Sequence, residues 1–205
     1  MENEQFNHVS HDSYWHNRFG HSTGAVIATI IEILQILIIS AAIVIPIRYF
    51  LIQPFRVKGA SMEPNYFNNE YLIIDEISYR FNEPVRGEIV VFRYPKDPSQ
   101  FFIKRVVGLP GETVEVTQEH VVIYNSDYPN GMVLAESYIP KDITHGKKKI
   151  TLAIDEYFVL GDNREESLDS RSFGEINRNK IIGKVWIRGL PISRADIFDL
   201  PEYNF

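Results

Sequence analysis

The sequence contains no cysteine among its 205 residues, which excludes disulfide frameworks, thiol nucleophiles and thiolate metal sites. It also lacks an excess of positive charge: 21 Lys and Arg stand against 27 Asp and Glu, for a net charge of −6. A nucleic-acid-binding chain normally shows a basic patch, so nucleic acid is not an expected partner. Histidine is scarce outside the first residues, where His8, His11, His16 and His21 account for four of the six. Their spacings of 3, 5 and 5 do not stack a ligand set on one helical face. No metal and no cofactor are expected, and residues 1–24 read as a polar, solvated tail. With 44% apolar and 23% charged residues, the remainder has the composition of a folded chain.

The apolar residues are concentrated early. From Ala25 to Ile47 the chain reads AVIATIIEILQILIISAAIVIPI, 23 residues with one charge, Glu32. A helix of that length rises roughly 35 Å, enough to cross a hydrocarbon layer of about 30 Å. A cleaved leader fits poorly, because the run is long and only Arg18 clearly precedes it as a positive charge. The pattern predicts a membrane anchor over residues 25–52, with the lipid bilayer as its surroundings. Glu32 and Gln35, three apart, share one face of it. Pro46 and then Gln53-Pro54 bring the helix to its end, since the residue before proline resists helical geometry. Tyr49, Phe50 and Phe55 follow where an interfacial aromatic belt would lie. Arg48, Arg56 and Lys58 outnumber the positive charge on the other flank, so a positive-inside count points to a cytoplasmic main domain.

Residues 53–205 change character. YLIIDE, EIVVFRY, FFIKRVVGL, TVEV, HVVIY, YFVLGD and KVWIRGL are short runs rich in β-branched and aromatic residues. Turn signals divide them, among them Glu83-Pro84, Pro110-Gly111, Asn130-Gly131 and Gly161-Asp162-Asn163. The pattern predicts a mainly β domain, antiparallel and barrel-like, behind one N-terminal transmembrane helix. Lys147-Lys148-Lys149 reads as a solvated turn, and the stretch from Ile192 to Phe205 as a tail without a decipherable role.

Beyond the tail only His120 and His145 remain, and neither has a local acid-and-serine setting. A Ser–His–Asp triad is therefore unsupported, and a neutral lysine is the alternative general base. Two segments carry the candidates: VKGASMEP, with a serine just after the predicted membrane exit, and FFIKRVVG, with Lys104 inside an apolar strand. Alternation places Lys104 on the face of Phe102 and Val106, and Arg105 on the opposite face, where it can reach solvent or a carboxylate. A lone strand lysine usually keeps its ammonium in water. An unperturbed lysine, with a pKa near 10.4, is neutral in only about one molecule in a thousand at pH 7.4. Burial can lower that pKa by roughly 3–5.

The ordered set GASMEP, FFIKRVVGLPGE and GDNREESLDSRSFG resembles the signature boxes of the bacterial type I signal peptidases, from the membrane segment through about Ile187. The resemblance implies a membrane-bound serine endopeptidase with a Ser–Lys dyad that removes signal peptides from exported precursors. It places Ser61 as nucleophile, Lys104 as general base and Ser167 as the hydroxyl that helps orient the lysine. Asp169 and Arg171 fall on a supporting ion pair, and Gly161 on a glycine that permits close backbone approach. The oxyanion would meet the backbone at Ser61 and Gly59, the glycine standing where some relatives carry a hydroxyl. Phe55, Val57, Met62, Phe102 and Ile103 match positions that form or border shallow substrate pockets. Tyr66 replaces the usual leucine of the nucleophile box and is expected to add bulk near one pocket. The resemblance implies small residues before the cut, precursor proteins and the protein-export machinery as partners, and a single-pass topology in the cell membrane. The first residues would be cytoplasmic and the β domain extracytoplasmic, against the charge count. Two other readings are a self-cleaving Ser–Lys protease, against which the membrane segment and the GDNR…SxDSR region argue, and a catalytically inactive, membrane-anchored binding module.

Overall fold

The predicted apolar helix is present as α1 (His21–Pro46), 26 residues long. It starts four positions before Ala25 and ends on Pro46. In the computed structural model the described residues are 21–46, 53–139, 144, 146–198 and 200–203. The stretch Gly24–Pro46 has a mean hydropathy of 2.5, and α1 is long and apolar enough to cross a membrane. The aromatic pair Tyr49 and Phe50, His8, His11, His16 and His145 lie outside the described residues.

The chain divides into two units, residues 1–49 and 50–205. The second is built on antiparallel strands, in agreement with the mainly β expectation. A large sheet has the order β1-β2-β11-β3-β4-β9-β10, from β1 (Gln53–Arg56), β2 (Tyr71–Asp75), β3 (Ile89–Tyr94), β4 (Asp97–Gly108), β9 (Glu156–Leu160), β10 (Ile176–Asn177) and β11 (Ile181–Leu190). The strand β12 (Asp196–Ile197) adds to β11. A smaller sheet, β7-β6-β5-β8, is made of β5 (Thr113–Val116), β6 (Val121–Tyr124), β7 (Met132–Val133) and β8 (Lys148–Thr151). One helical turn, α2 (Ser170–Phe173), follows β9. Every strand run read from the sequence falls on a strand here. The added strands β1, β7, β8, β10 and β12 span two to four residues, too short to show an alternating pattern.

Two expectations are corrected. Lys148 and Lys149 open β8 instead of forming a turn, and pair with Val116 and Glu115 of β5. The strand is half exposed, so Lys149 Nζ stands outward, 2.9 Å from Glu115 and over the Tyr124 ring. The C-terminal stretch is likewise structured: the Phe198 ring packs at a tilt against Tyr66, centroids 4.5 Å apart, and Tyr203 packs against the core of the small sheet.

Three apolar clusters hold the domain. One lies under the small sheet (Val107, Val114, Ile123, Phe158), and one on the other part of β4 and β9 (Phe92, Val106, Tyr157, Val159). A third joins the segment after β1 to β2, β3 and β11 (Val57, Met62, Leu72, Val91). β4 sits between β3 and β9, in register Val90↔Lys104 and Arg105↔Leu160, and is fixed on both edges.

The start of the small sheet is tied to β4 by a buried ion pair. Glu112 accepts two bonds from Arg86 Nη2, at 2.6 and 2.7 Å, and one each from Leu109 N and Asn125 Nδ2. Arg86 also reaches the Val107 carbonyl. Neutralising one partner leaves a buried charge uncompensated, which costs about 3–5 kcal/mol. Glu112→Gln is therefore expected to lose about that much unfolding free energy in urea titrations followed by tryptophan fluorescence.

Candidate active site

β1 runs into a glycine-containing segment and then a tight reversal, Ser61 to Tyr66, closed by the Tyr66 N–H donating to the Met62 carbonyl at 2.8 Å. The reversal delivers Ser61 to the middle of β4. There Lys104 Nζ donates to Ser61 Oγ at 2.8 Å and to its neighbour's carbonyl, Ile103 O, at 2.8 Å. The Phe102 ring lies beside the amine, 5.4 Å from its centroid.

Lys104 is only 4% exposed. Burial lowers its pKa to about 8, against the pull of the Asp169 and Asp162 carboxylates, which favour the charged form. At pH 7.4 about one molecule in five then holds a neutral amine, against about one in a thousand for a free lysine. In the neutral form the same 2.8 Å contact can run the other way, with Oγ–H donating to Nζ. The arrangement can therefore generate a serine nucleophile without histidine.

The segment after β9 closes the site from the other side. Asp169, fully buried, caps α2. It accepts from the Gly161 N–H at 3.1 Å and from Arg171 Nε and Nη2 at 2.8 Å each, which is the expected ion pair. The Asn163 N–H donates to the Ser61 carbonyl at 3.1 Å, joining this segment to the serine turn. Gly161 must be glycine for space: a Cβ there would lie 2.5 Å from Ser61 O and 2.1 Å from Ser167 Oγ. Ser167 thus sits at the site, but its buried Oγ has no hydrogen-bond partner and does not reach Lys104 among the described residues.

A cleft of about 660 Å³ opens beside Ser61 and Lys104. Of the residues expected to shape it, Phe55, Val57, Phe102 and Ile103 line it. Met62 and Tyr66 do not. The reversal after Ser61 turns both into the core, where each is at most 1% exposed, so Tyr66 fills space behind the site and does not narrow the cleft. Gly59 also departs from expectation, because its N–H is taken by Asn68 Oδ1 at 3.1 Å. The Ser61 N–H has no intramolecular partner among the described residues.

Sequence reasoning missed Leu72, Val91 and Leu168 in the cleft wall and the charged groups Arg56, Lys58 and Glu166 at it. It also missed the carboxylate that Arg105 requires. Arg105, buried like its neighbour, forms a two-bond pair with Asp162, Nε at 2.8 Å and Nη2 at 2.7 Å. An arginine in so apolar a strand was the available signal that an acid must lie opposite. Among the described residues no group of three His, Asp or Glu side chains converges to hold a metal ion.

The sequence matches the family described as "Signal peptidase, peptidase S26" over residues 30–189. It is 37% identical over 174 residues to the "Probable signal peptidase I-2" of Synechocystis sp., covering 82% of this chain and 77% of that protein. Identity to the "Signal peptidase I" of Leptolyngbya laminosa is 39%, over 80% of this chain and 82% of that one. Identity to "Signal peptidase IB" of Staphylococcus aureus is 32%, over 76% and 84%. A crystal structure of a signal peptidase I from Enterococcus faecalis aligns with a TM-score of 0.43 at 31% identity, covering 51% of this chain and 97% of that one.

The buried amine has a stability cost with a defined pH range. Its folded pKa of about 8 lies below the value of 10.5 for a free lysine. Below pH 8 the folded protein carries the full penalty, about 3 kcal/mol, and between pH 8 and 10.5 the penalty fades. Lys104→Met should thus raise the unfolding free energy by about that amount at pH 7, with the gain shrinking as denaturation is repeated up to pH 10.5.

Proposed function

This chain belongs to the signal peptidase family, peptidase S26, and is by that membership a hydrolase; on that premise we propose that it cleaves signal peptides from exported precursors with Ser61 and Lys104 as a catalytic dyad. The observation that carries the proposal is the 2.8 Å contact between Ser61 Oγ and an amine whose pKa burial has brought to about 8.

Neutral Lys104 takes the hydroxyl proton as Ser61 Oγ attacks the scissile carbonyl carbon. The carbonyl oxygen becomes an oxyanion, for which the Ser61 N–H is the available donor at about 2.7–3.1 Å. Collapse breaks the C–N bond, and the Lys104 ammonium returns its proton to the departing amine. The acyl group remains on Oγ. A water molecule then gives a proton to the now neutral Lys104 Nζ as it attacks the ester carbonyl, and Lys104 passes that proton to the departing Ser61 Oγ, which releases the signal peptide. No third proton carrier is needed. Ser167 Oγ, beside Gly161 and without a partner, is within the enclosure to steady the lysine when substrate shifts it. Asp169 and Arg171 hold the segment that presents it.

The cleft favours small side chains before the cut. Its walls at Phe55, Val57, Leu72 and Ile103 are apolar and packed on a buried cluster. The helix α1 serves as a single-pass anchor that holds the site at the membrane surface, where a precursor's hydrophobic segment is already embedded; this raises the effective concentration of the cleavage site. The β domain then lies on the extracytoplasmic side of the cell membrane with the N-terminus in the cytoplasm, where the export machinery delivers precursors. The inactive-module reading finds no support in a serine and a depressed lysine held within bonding distance.

Full-length enzyme in detergent, with a model precursor, tests the dyad. Ser61→Ala and Lys104→Met should each reduce cleavage about 10³-fold or more. In the parent, kcat/KM should rise about tenfold per pH unit while Lys104 loses its proton, then level off above its pKa of about 8. A variant that keeps most of the activity, or a flat profile between pH 6 and about 8, would remove the assignment.

Peptides that differ only at the residue before the cut test the cleft. Alanine and glycine should be cleaved efficiently and leucine about 100-fold more slowly in kcat/KM. Comparable rates for leucine would contradict the small-residue preference.

A further inference from the structure

Asn65 takes no part in the steps above, yet it makes the most connected polar contact of the serine turn. Its amide Nδ2 donates two bonds of 2.8 Å, to the Tyr138 carbonyl and to Asp162 Oδ2. Its own carbonyl accepts from Arg188 Nη1 at 2.8 Å. Asp162 is buried, and both of its oxygens are already engaged by Arg105. Arg105 directly follows Lys104 on β4. A closed ring results: from Lys104 to Ser61 through their contact, along the turn to Asn65, across to Asp162, on to Arg105, and back one residue to Lys104.

We infer that Asn65 is a positioning residue of the Ser61–Lys104 pair, fastening the serine turn to the same carboxylate that fixes the lysine strand. Arg105 alone neutralises Asp162, so the asparagine contributes direction, not charge compensation. Ser61 itself is held to the neighbouring segment by the single 3.1 Å bond from Asn163 N to its carbonyl. Proton transfer and attack are steep in distance, and a displacement of about 1 Å can cost about 100-fold in rate. A restraint four residues from the nucleophile, on the carboxylate beside the base, acts on that distance. The inference rests on the reading of Ser61 and Lys104 as the reacting groups.

The test uses full-length enzyme in detergent and a soluble peptide substrate, with kcat and KM measured from pH 6 to 9 and rates referred to folded protein. Asn65→Leu keeps the branched heavy-atom outline, at a larger volume, and removes the donor. It should lower kcat about 10- to 100-fold, with KM within about threefold and the pH limb unmoved. Asn65→Asp keeps the shape but turns an acceptor towards Asp162. The charged groups around the introduced carboxyl are Asp162 on the segment after β9, Arg105 on β4, Arg188 on β11 and Glu70, which pairs with Arg188. Two carboxylates at that separation do not both ionise. On protonation the introduced group becomes a donor again. The ratio of Asn65→Asp to parent kcat should therefore rise as the pH falls from 8 to 6.

Folded variants with kcat within twofold of the parent, a pH-independent ratio, or a loss that merely tracks the unfolded fraction would each overturn the inference. Ser61→Ala in the same assay separates the two levels. If it still cleaves, the reading of the site has failed; if it is inactive while Asn65→Leu is normal, only the role of Asn65 has failed.

Discussion

The proposed chemistry depends on one amine kept dry. Lys104 lies on the central part of a strand paired on both edges, within bonding distance of Ser61 and beside the Phe102 ring. Desolvation favours its neutral form, and the Asp162 and Asp169 charges oppose that preference. The balance leaves the pKa a little above neutrality, where the amine is both available as a base and strong enough to take a hydroxyl proton. Such a group does not stabilise the fold that houses it. The three apolar clusters offset its cost.

The acidic groups nearest the lysine are therefore not left as free charges. Asp162 is occupied by Arg105 and Asn65, and Asp169 by Arg171 and the Gly161 N–H. An unpaired carboxylate at either place would pull Lys104 back to its charged form. Each ion pair consequently does two things: it places a segment, and it limits the field at the amine. Gly161 completes the enclosure by letting two chains approach to a distance that a Cβ forbids.

The strands that carry the site were legible because they are long and rich in β-branched residues; FFIKRVVGL and EIVVFRY fall within β4 and β3, give or take a residue at their ends. The added strands of two to four residues were not, since their pairing is decided by partners far along the chain. Lys148 and Lys149 illustrate this: as a run they suggest water, yet β5 supplies both a ladder and a carboxylate. For the site, motif order was informative and side-chain direction was not. Ser61 and Lys104 are 43 positions apart and their meeting follows from the resemblance, not from any local pattern. Met62 and Tyr66 were assigned to the cleft by the resemblance, but the six-residue reversal from Ser61 to Tyr66 sends them inward. The bond from Asn65 to Asp162 spans 97 positions and leaves no trace in either segment.

β1 pairs with β2 alone among the described strands, and its residues border the cleft. Among the described residues no strand pairs with its outer edge, a geometry suited to receiving an extended chain and equally suited to sticking to a sister molecule. Arg56 and Lys58 stand at this border, both exposed. Two copies meeting rim to rim would set these cations against their counterparts, whereas an uncharged stretch of polypeptide would meet no such repulsion. On the proposed function, this edge can stay open to an extended substrate without polymerising along it.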